Sequence, residues 1–177
     1  MRVMAVDPGS ANIGVSIFDN DKLVYCTRLN YTSSYEKFVD KLNDILSKVY
    51  HEFLRLAHKY EVQAICWEIV PAIGNMNHKD FVVSVSAALK ILAFHYELQW
   101  QGVPANTVKK LFTGNGRASK DEMRDTVLQI FPDFKEKFPE IGFRAYDAYD
   151  SVAIGTVART RGSWHTPTSS NLTGSEI

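Results

Sequence analysis

The sequence predicts an α/β fold built around one mixed, five-stranded sheet. Three strand-like segments come first, and helical and strand segments then alternate along the chain. That order is typical of helices packed on the faces of a sheet. The segment at residues 62–70 (VQAICWEIV) is rich in β-branched and aromatic residues, which indicates a central strand buried on both faces.

The first three strands are short and end at turn residues. Residues 2–6 are apolar and stop at Asp-Pro-Gly, residues 14–18 alternate small or polar with apolar side chains, and residues 23–29 form the third strand. Residues 34–60 are predicted as a helix, because apolar side chains recur there at steps of three and four residues. We expect this helix to cover one face of the sheet.

The second half of the chain supplies the remaining helices and the fifth strand. The predicted segments are a helix at 79–96, a strand at 98–103 and helices at 104–113, 120–131 and 147–161. The helix at 79–96 is apolar nearly all round, which indicates cover by the sheet and by a partner chain.

Turn and cap residues divide the later helices. Ser119 and Glu122 have the spacing of a capping box, which places a helix start beside them. Residues 132–143 are charged and read as an irregular connector. Residues 162–177 are Gly, Ser, Thr, Asn and Pro with little to bury, so we expect a flexible tail after one domain at residues 1–161.

The composition excludes several classes of protein. The chain has 177 residues, of which 45% are hydrophobic, enough for one globular domain to fold without a disulfide or structural metal. Twenty basic residues balance twenty acidic ones, which excludes a uniformly basic nucleic-acid coat. Cys26 and Cys66 form neither a disulfide framework nor a zinc site, so we expect a reducing, cytoplasmic compartment. No apolar run reaches the roughly 18 residues of a membrane span, so no membrane partner is expected.

Four carboxylates are placed to meet at one edge of the predicted sheet. Asp7 ends the first strand and Glu68 lies near the end of the fourth, and parallel neighbours bring such ends together. Asp147 and Asp150 are three residues apart and share one face of the last helix. Converging carboxylates repel one another, and Mg²⁺ or Mn²⁺ relieves that repulsion. Two such ions, roughly 3.5–4 Å apart, are a known arrangement for splitting phosphodiesters.

Each carboxylate also has a structural explanation. Asp7 belongs to an Asp-Pro-Gly sequence, which is a common turn. Asp147 and Asp150 would both be favoured near a helix N-terminus. Glu68 is harder to explain structurally, because a carboxylate inside an apolar strand is costly unless it is paired or metal-bound.

Four motifs resemble those of the RuvC-type Holliday junction resolvases. They are VDPGSANIG, WEIV, KKLFTGNGRASK and YDAYDSVAIG, and the resemblance covers residues 1–161. It implies a ribonuclease H-like fold with sheet order 3-2-1-4-5. It also implies a homodimeric endonuclease of DNA recombination and repair that nicks two strands of a four-way junction symmetrically, leaving 5′-phosphate and 3′-hydroxyl ends. Two Mg²⁺ ions per active site are expected, with Mn²⁺ able to substitute.

The resemblance assigns roles to individual residues. The family's four metal-binding carboxylates correspond to Asp7, Glu68, Asp147 and Asp150. Two lysines that the family places near the scissile phosphate correspond to Lys109 and Lys120. The apolar helix at 79–96 corresponds to the family's dimer helix.

Two departures indicate a divergent member, which we expect to be of phage origin and to act in the host cytoplasm. Pro71 stands where the bacterial enzymes carry an aromatic residue that enters the junction, and the connector between Lys120 and Asp147 is longer. The sequence therefore does not identify the residue that opens the junction. Met76 and Asn77, in a predicted loop at 71–78, are candidates for a wedge, and an ordinary surface loop is the alternative.

A basic segment at residues 105–124 is the predicted DNA-binding surface. Its five basic side chains are Lys109, Lys110, Arg117, Lys120 and Arg124. Contacts with phosphates would position branched DNA without reading bases. Arg144, Arg159 and Arg161 would extend this surface more weakly, and a solvated helix face is the alternative explanation.

Three other functions compete with junction resolution. A nuclease of the same fold acting on flaps, forks or structured RNA fits the same residues. A non-catalytic junction-binding protein is disfavoured, because an acidic cluster beside DNA phosphates does not help binding. A sugar-kinase-like ATPase is disfavoured because the chain is too short for a second lobe and lacks a second glycine-rich phosphate motif.

Overall fold

The computed structural model describes residues 1–9, 12–69 and 76–167, and for residues 76–79 it describes only the backbone. The strands are β1 (Arg2–Asp7), β2 (Asn12–Asp19), β3 (Lys22–Asn30), β4 (Ala64–Ile69) and β5 (Gln99–Pro104). The helices are α1 (Phe38–Lys59), α2 (Met76–His95), α3 (Ala105–Thr113), α4 (Lys120–Ile130), α5 (Phe134–Lys137) and α6 (Tyr146–Arg161).

The five strands form one mixed sheet in the order β3-β2-β1-β4-β5. Strands β1, β2 and β3 form an antiparallel meander, whereas β4 runs parallel to both β1 and β5. The predicted fold class and strand order are confirmed. Because β1 and β4 are parallel neighbours, their carboxyl ends lie side by side, and the ends that carry Asp7 and Glu68 share one edge.

Helices cover both faces of the sheet and enclose two hydrophobic cores. One core joins α1 and α2 to the sheet through residues such as Phe53 and Leu89. The other joins α3, α4 and α6 to the opposite face. Helix α6 approaches β1 and β2 closely at Gly155, where an added Cβ would lie 2.4 Å from the ring of Phe18. Helix α6 therefore lies directly on β1 and β2, and its first turn, with Asp147, lies against Gly14 at the edge where β1 ends.

Several boundaries differ from the sequence predictions. Helix α1 begins at Phe38, four residues later than predicted, and α2 begins at Met76, three residues earlier. The connector after α4 contains the short helix α5, because Phe134 is fully buried and packs on Tyr149 with ring centroids 5.2 Å apart. The capping box of Ser119 at the start of α4 is confirmed. Of the predicted loop at 71–78, residues 71–75 lie outside the described part of the chain, and the backbone of residues 76–78, including the wedge candidates Met76 and Asn77, belongs to α2 instead.

The segment after α6 begins along the sheet edge. The backbones of His165 and Trp100 pair in an antiparallel bridge, and their rings stack with centroids 4.4 Å apart. Trp164 packs on the core beneath α6. The described start of the predicted flexible tail is therefore held against β5, and residues 168–177 lie outside the described part of the chain.

Two further features bear on the protein class. Cys26 and Cys66 are both buried and free, as expected from their apolar surroundings. Within the described ranges, every helix is too short or too polar to cross a membrane.

Candidate active site

A cavity of about 330 Å³ at the carboxyl edge of β1 and β4 brings the predicted site residues together. Its ionisable lining residues are Asp7, Glu68, Lys109, Lys120, Asp147 and Asp150. The four carboxylates and two lysines predicted from the sequence thus line one cavity, although they come from five elements (β1, β4, α3, α4 and α6) and Asp150 is 143 positions from Asp7. Apolar side chains of α2, α3 and α4, among them Val82 and Met123, complete the wall.

Glycines allow α6 to reach this edge. Gly14 on β2 lies directly opposite Asp7 on β1. A Cβ on Gly14 would lie 1.7 Å from the carbonyl oxygen of Asp147, so any side chain there would push the start of α6 away. Gly9, in the turn after β1, is tight as well, since its Cβ would lie 2.2 Å from the carbonyl oxygen of Asn12. The glycines of the first motif therefore place Asp147 beside Asp7.

Burial and mutual repulsion shift the acidity of the carboxylates. Burial raises the pKa of Asp7 well above its usual range, and the charges on Asp150, Glu68 and Asp147 raise it further. Burial likewise raises the pKa of Glu68 to about 7, with a further contribution from Asp150. Carboxylates in such surroundings bind a proton or a cation more readily than exposed carboxylates do, because an uncompensated negative charge is unfavourable there.

The two lysines oppose these shifts. Burial raises the pKa of Asp150 to about 6, while the charges of Lys120 and Lys109 lower it. Both lysines also lower the pKa of Glu68. Lys109 is half-buried on α3, whereas Lys120 is exposed at the start of α4 and lies over the ring of Tyr146, 5.5 Å from its centroid. Two positive charges therefore face the carboxylates from the side of the basic segment.

The donor set suits hard divalent cations. Four carboxylates supply up to eight oxygens around one cavity, and Mg²⁺ and Mn²⁺ prefer oxygen ligands. The raised pKa values of Asp7, Glu68 and Asp150 arise first from burial, which favours a bound proton or cation over an isolated negative charge. Among the residues that the structure describes, no three histidine, cysteine or carboxylate side chains are already arranged as a complete metal cage.

The rest of the basic segment borders the cavity on α3 and the turn that follows it. Lys110 and Arg117 are exposed. Gly114 ends α3 in the left-handed conformation, with φ of 80°. The backbone N–H of Arg117 donates to the side chain of Asn115, and the capping box occupies the N–H groups of Ser119 and Glu122. The exposed side chains of Lys110 and Arg117 are therefore the charged groups of this turn and helix that could contact a phosphate.

Arg124 does not fit the predicted DNA-binding set. It is only 5% exposed, and its guanidinium is shared between Asp121 at 2.5 Å and Asp125 at 2.7 Å. It also lies over the ring of Phe143, 3.6 Å from the centroid. These contacts give Arg124 a structural role, because its buried guanidinium would have to leave both exposed carboxylates, Asp121 and Asp125, to bind a phosphate. Arg159, at the far end of α6, is similarly engaged with Asp21.

Sequence reasoning missed Arg28, which lies beside the site. On β3, its Nε donates to Oδ2 of Asp147 at 3.1 Å. One signal was present in the sequence. Cys26 and Arg28 are two residues apart and share one face of the strand. Because cysteine is among the residue types most often buried, an arginine on the same face is expected at the edge of a packed surface, where an acidic side chain can pair with it.

Helix α2 has an apolar outer face, which we define as Val83, Ile91 and Phe94. These side chains are 66%, 61% and 48% exposed. A groove of about 420 Å³ beside this face separates α2 from α1 and includes Tyr50 and Ala88. Apolar side chains grouped on one exposed face are typical of an interaction surface.

Comparison with known proteins identifies the family. A family profile described as "Crossover junction endodeoxyribonuclease RuvC" matches residues 3–156, most of the chain. The chain belongs to the RuvC family. A crossover junction endodeoxyribonuclease RuvC from Finegoldia magna is 30% identical over 158 residues, covering 87% of this chain and 90% of that protein.

Solved structures share the RuvC fold. Thermus thermophilus RuvC, in complex with a Holliday junction substrate, has a TM-score of 0.67 and 18% identity, covering 94% of this chain and 99% of that one. The yeast mitochondrial Holliday junction resolvase has a TM-score of 0.63 and 13% identity, covering 91% of this chain and 80% of that one. At these identities the likeness establishes the fold.

Proposed function

We propose that this chain is a metal-dependent endonuclease that resolves four-way DNA junctions by paired, symmetric nicks. One observation carries the proposal: four carboxylates and two lysines line a single cavity in a chain of the RuvC family. This combination suits metal-dependent hydrolysis of a phosphodiester, since carboxylates bind cations and lysines neutralise the charge that develops on phosphate oxygens.

The proposed roles follow from position around the cavity. Asp7, Glu68, Asp147 and Asp150 would hold two divalent cations, with Mg²⁺ expected and Mn²⁺ able to substitute. When bound, such ions activate water for attack and stabilise the leaving 3′ oxygen. Lys109 and Lys120 would donate to the non-bridging oxygens of the scissile phosphate, and Lys110 and Arg117 would bind neighbouring phosphates.

A homodimer through the outer face of α2 is part of the proposal. Two nicks placed symmetrically in a junction require two active sites related by a twofold axis. The exposed side chains of Val83, Ile91 and Phe94 provide an apolar surface that a second copy would cover. Cover by a second copy would explain why this helix is apolar nearly all round.

The test is cleavage of a synthetic four-way junction with Mg²⁺, beside linear duplex, flap, fork and RNA hairpin substrates. We expect paired nicks at symmetric positions in the junction. Asp7→Asn should abolish cleavage while sparing junction binding, because the carboxylate is needed for cations and the basic side chains remain. Asp44→Asn is the matched control, since Asp44 pairs with Lys48 on α1 outside the cavity.

Other results would change the proposal in distinct ways. Cutting of flaps or RNA with intact junctions would keep the carboxylate site and replace the substrate. Tight junction binding without cutting, in the presence of Mg²⁺ or Mn²⁺, would reject the enzyme in favour of a binding protein. Loss of folding in Asp7→Asn would show that Asp7 has a structural role.

A further inference from the structure

A row of three opposed residues crosses the sheet at the edge of the cavity. Asp7 on β1 lies opposite Gly14 on β2, and Gly14 lies opposite Arg28 on β3. Opposed residues on neighbouring strands project from the same face of the sheet. Because Gly14 has no side chain, the backbone of Asp147 occupies the space above it. Asp147 therefore lies between Asp7 and Arg28.

The two carboxylate oxygens of Asp147 have different neighbours. Oδ2 accepts from Nε of Arg28 at 3.1 Å, and the Arg28 and Asp147 side chains are 38% and 19% exposed. Oδ1 is on the side of the turn after β1, 3.4 Å from the ideal Cβ position of Gly9. Gly9 and Asp147 both line the cavity. Arg28 thus contacts one oxygen and leaves the other beside the cavity.

Packing of β3 against α6 keeps Arg28 within reach of Asp147. Cys26, two residues earlier on the same face, is 1% exposed, and its Sγ lies 3.7 Å from the carbonyl oxygen of Ala148. Strand and helix are therefore in contact one residue beyond Asp147. The Arg28 side chain starts from a fixed strand, which limits the positions that its guanidinium can take.

We propose that Arg28 is a positioning residue, which holds the carboxylate of Asp147 oriented for a divalent cation. The inference rests on the proposed function in that it takes Asp147 as a cation ligand, and it adds a partner from β3 outside the four motifs. A charged hydrogen bond to one oxygen restricts rotation of the Asp147 carboxylate, so less conformational entropy is lost when a cation binds the other oxygen. Partners of this kind typically change metal affinity by roughly 10-fold to 100-fold.

The test is calorimetric titration of Mn²⁺ into the full-length protein without DNA. Arg28→Met removes the charge and the donor while keeping an unbranched side chain, and we expect it to weaken Mn²⁺ binding about 10-fold. Arg28→Lys restores a donor and should bind Mn²⁺ more tightly than Arg28→Met. Arg2→Met is the matched control, because Arg2 is also 38% exposed and also ion-paired, with Asp19 and Glu61, but lies at the opposite end of β1.

Cleavage provides a second readout that separates positioning from general damage. For Arg28→Met, the Mn²⁺ concentration giving half-maximal cleavage should rise by the same factor, and saturating Mn²⁺ should restore the rate. Wild-type or tighter Mn²⁺ binding by Arg28→Met would overturn the inference, as would equal weakening in Arg2→Met. If the wild-type protein cuts no junction, the proposed function fails, whereas the calorimetric comparison of Arg28 variants still decides the role of Arg28.

Discussion

Replacing Glu68 by glutamine should stabilise the metal-free protein at alkaline pH while abolishing its activity. Burial raises the pKa of Glu68 from 4.5 to about 7. A carboxyl group with a raised folded pKa contributes stability below its unfolded pKa, and this contribution is lost as the pH rises through the folded value. The window for Glu68 is therefore about pH 4.5 to 7.

The expected size follows from that shift. Moving the pKa from 4.5 to about 7 corresponds to roughly 3 kcal/mol of unfavourable free energy once the group is ionised in the fold. Water reaching the open cavity screens the charges, so we expect Glu68→Gln to gain about 2 kcal/mol in free energy of unfolding at pH 8. At pH 5 the folded protein keeps Glu68 protonated, and the gain should fall below about 1 kcal/mol.

Urea unfolding in the presence of a chelator, at pH 5 and pH 8, measures both values. Glu36→Gln is the control, because Glu36 is exposed ahead of α1 and should change the unfolding free energy by less than about 0.5 kcal/mol at either pH. A Glu68→Gln variant no more stable than the wild type at pH 8, or a gain that is the same at both pH values, would contradict a destabilising charge on Glu68.

Three further predictions concern the glycine at the edge, the dimer and the cations. Gly14→Ala should lower the unfolding free energy by several kcal/mol and reduce cleavage, because the added Cβ would clash with the carbonyl oxygen of Asp147. Gly142→Ala is the control and should change neither quantity, because a Cβ there would have no atom within 4 Å. Urea unfolding and junction cleavage measure both effects. Ile91→Glu should convert a dimer to a monomer, as measured by light scattering. Val24→Glu is the control, because Val24 is 42% exposed on the sheet and away from α2, and it should leave the mass unchanged. A monomeric wild-type protein would contradict the dimer. A chelator should abolish cleavage, and Mn²⁺ should raise the melting temperature more at pH 8 than at pH 5, where protons compete for the carboxylates; equal shifts would argue against a cation site there.

Local sequence patterns determined most of the elements and the identity of the candidate site. Alternation and helical spacing are short-range properties, so they predicted the strands and the long helices. The positions of Asp7 and Glu68 near strand ends, and the three-residue spacing of Asp147 and Asp150, predicted that these four carboxylates converge. The predicted capping box at Ser119 needed only residues that are three positions apart.

The tertiary structure decided which charged groups have partners. Arg28 and Asp147 are 119 positions apart, and their contact depends on the strand register that sets Gly14 beneath the start of α6. Arg124 reads as a DNA contact in a basic segment, yet the packing of α4 buries it between two carboxylates. The sequence does not show which acidic and basic side chains pair, because long-range ion pairs and burial arise only when distant elements pack together. The sequence by itself therefore determined the chemistry available to this protein, and the packing of α6 against the sheet decided how that chemistry is arranged.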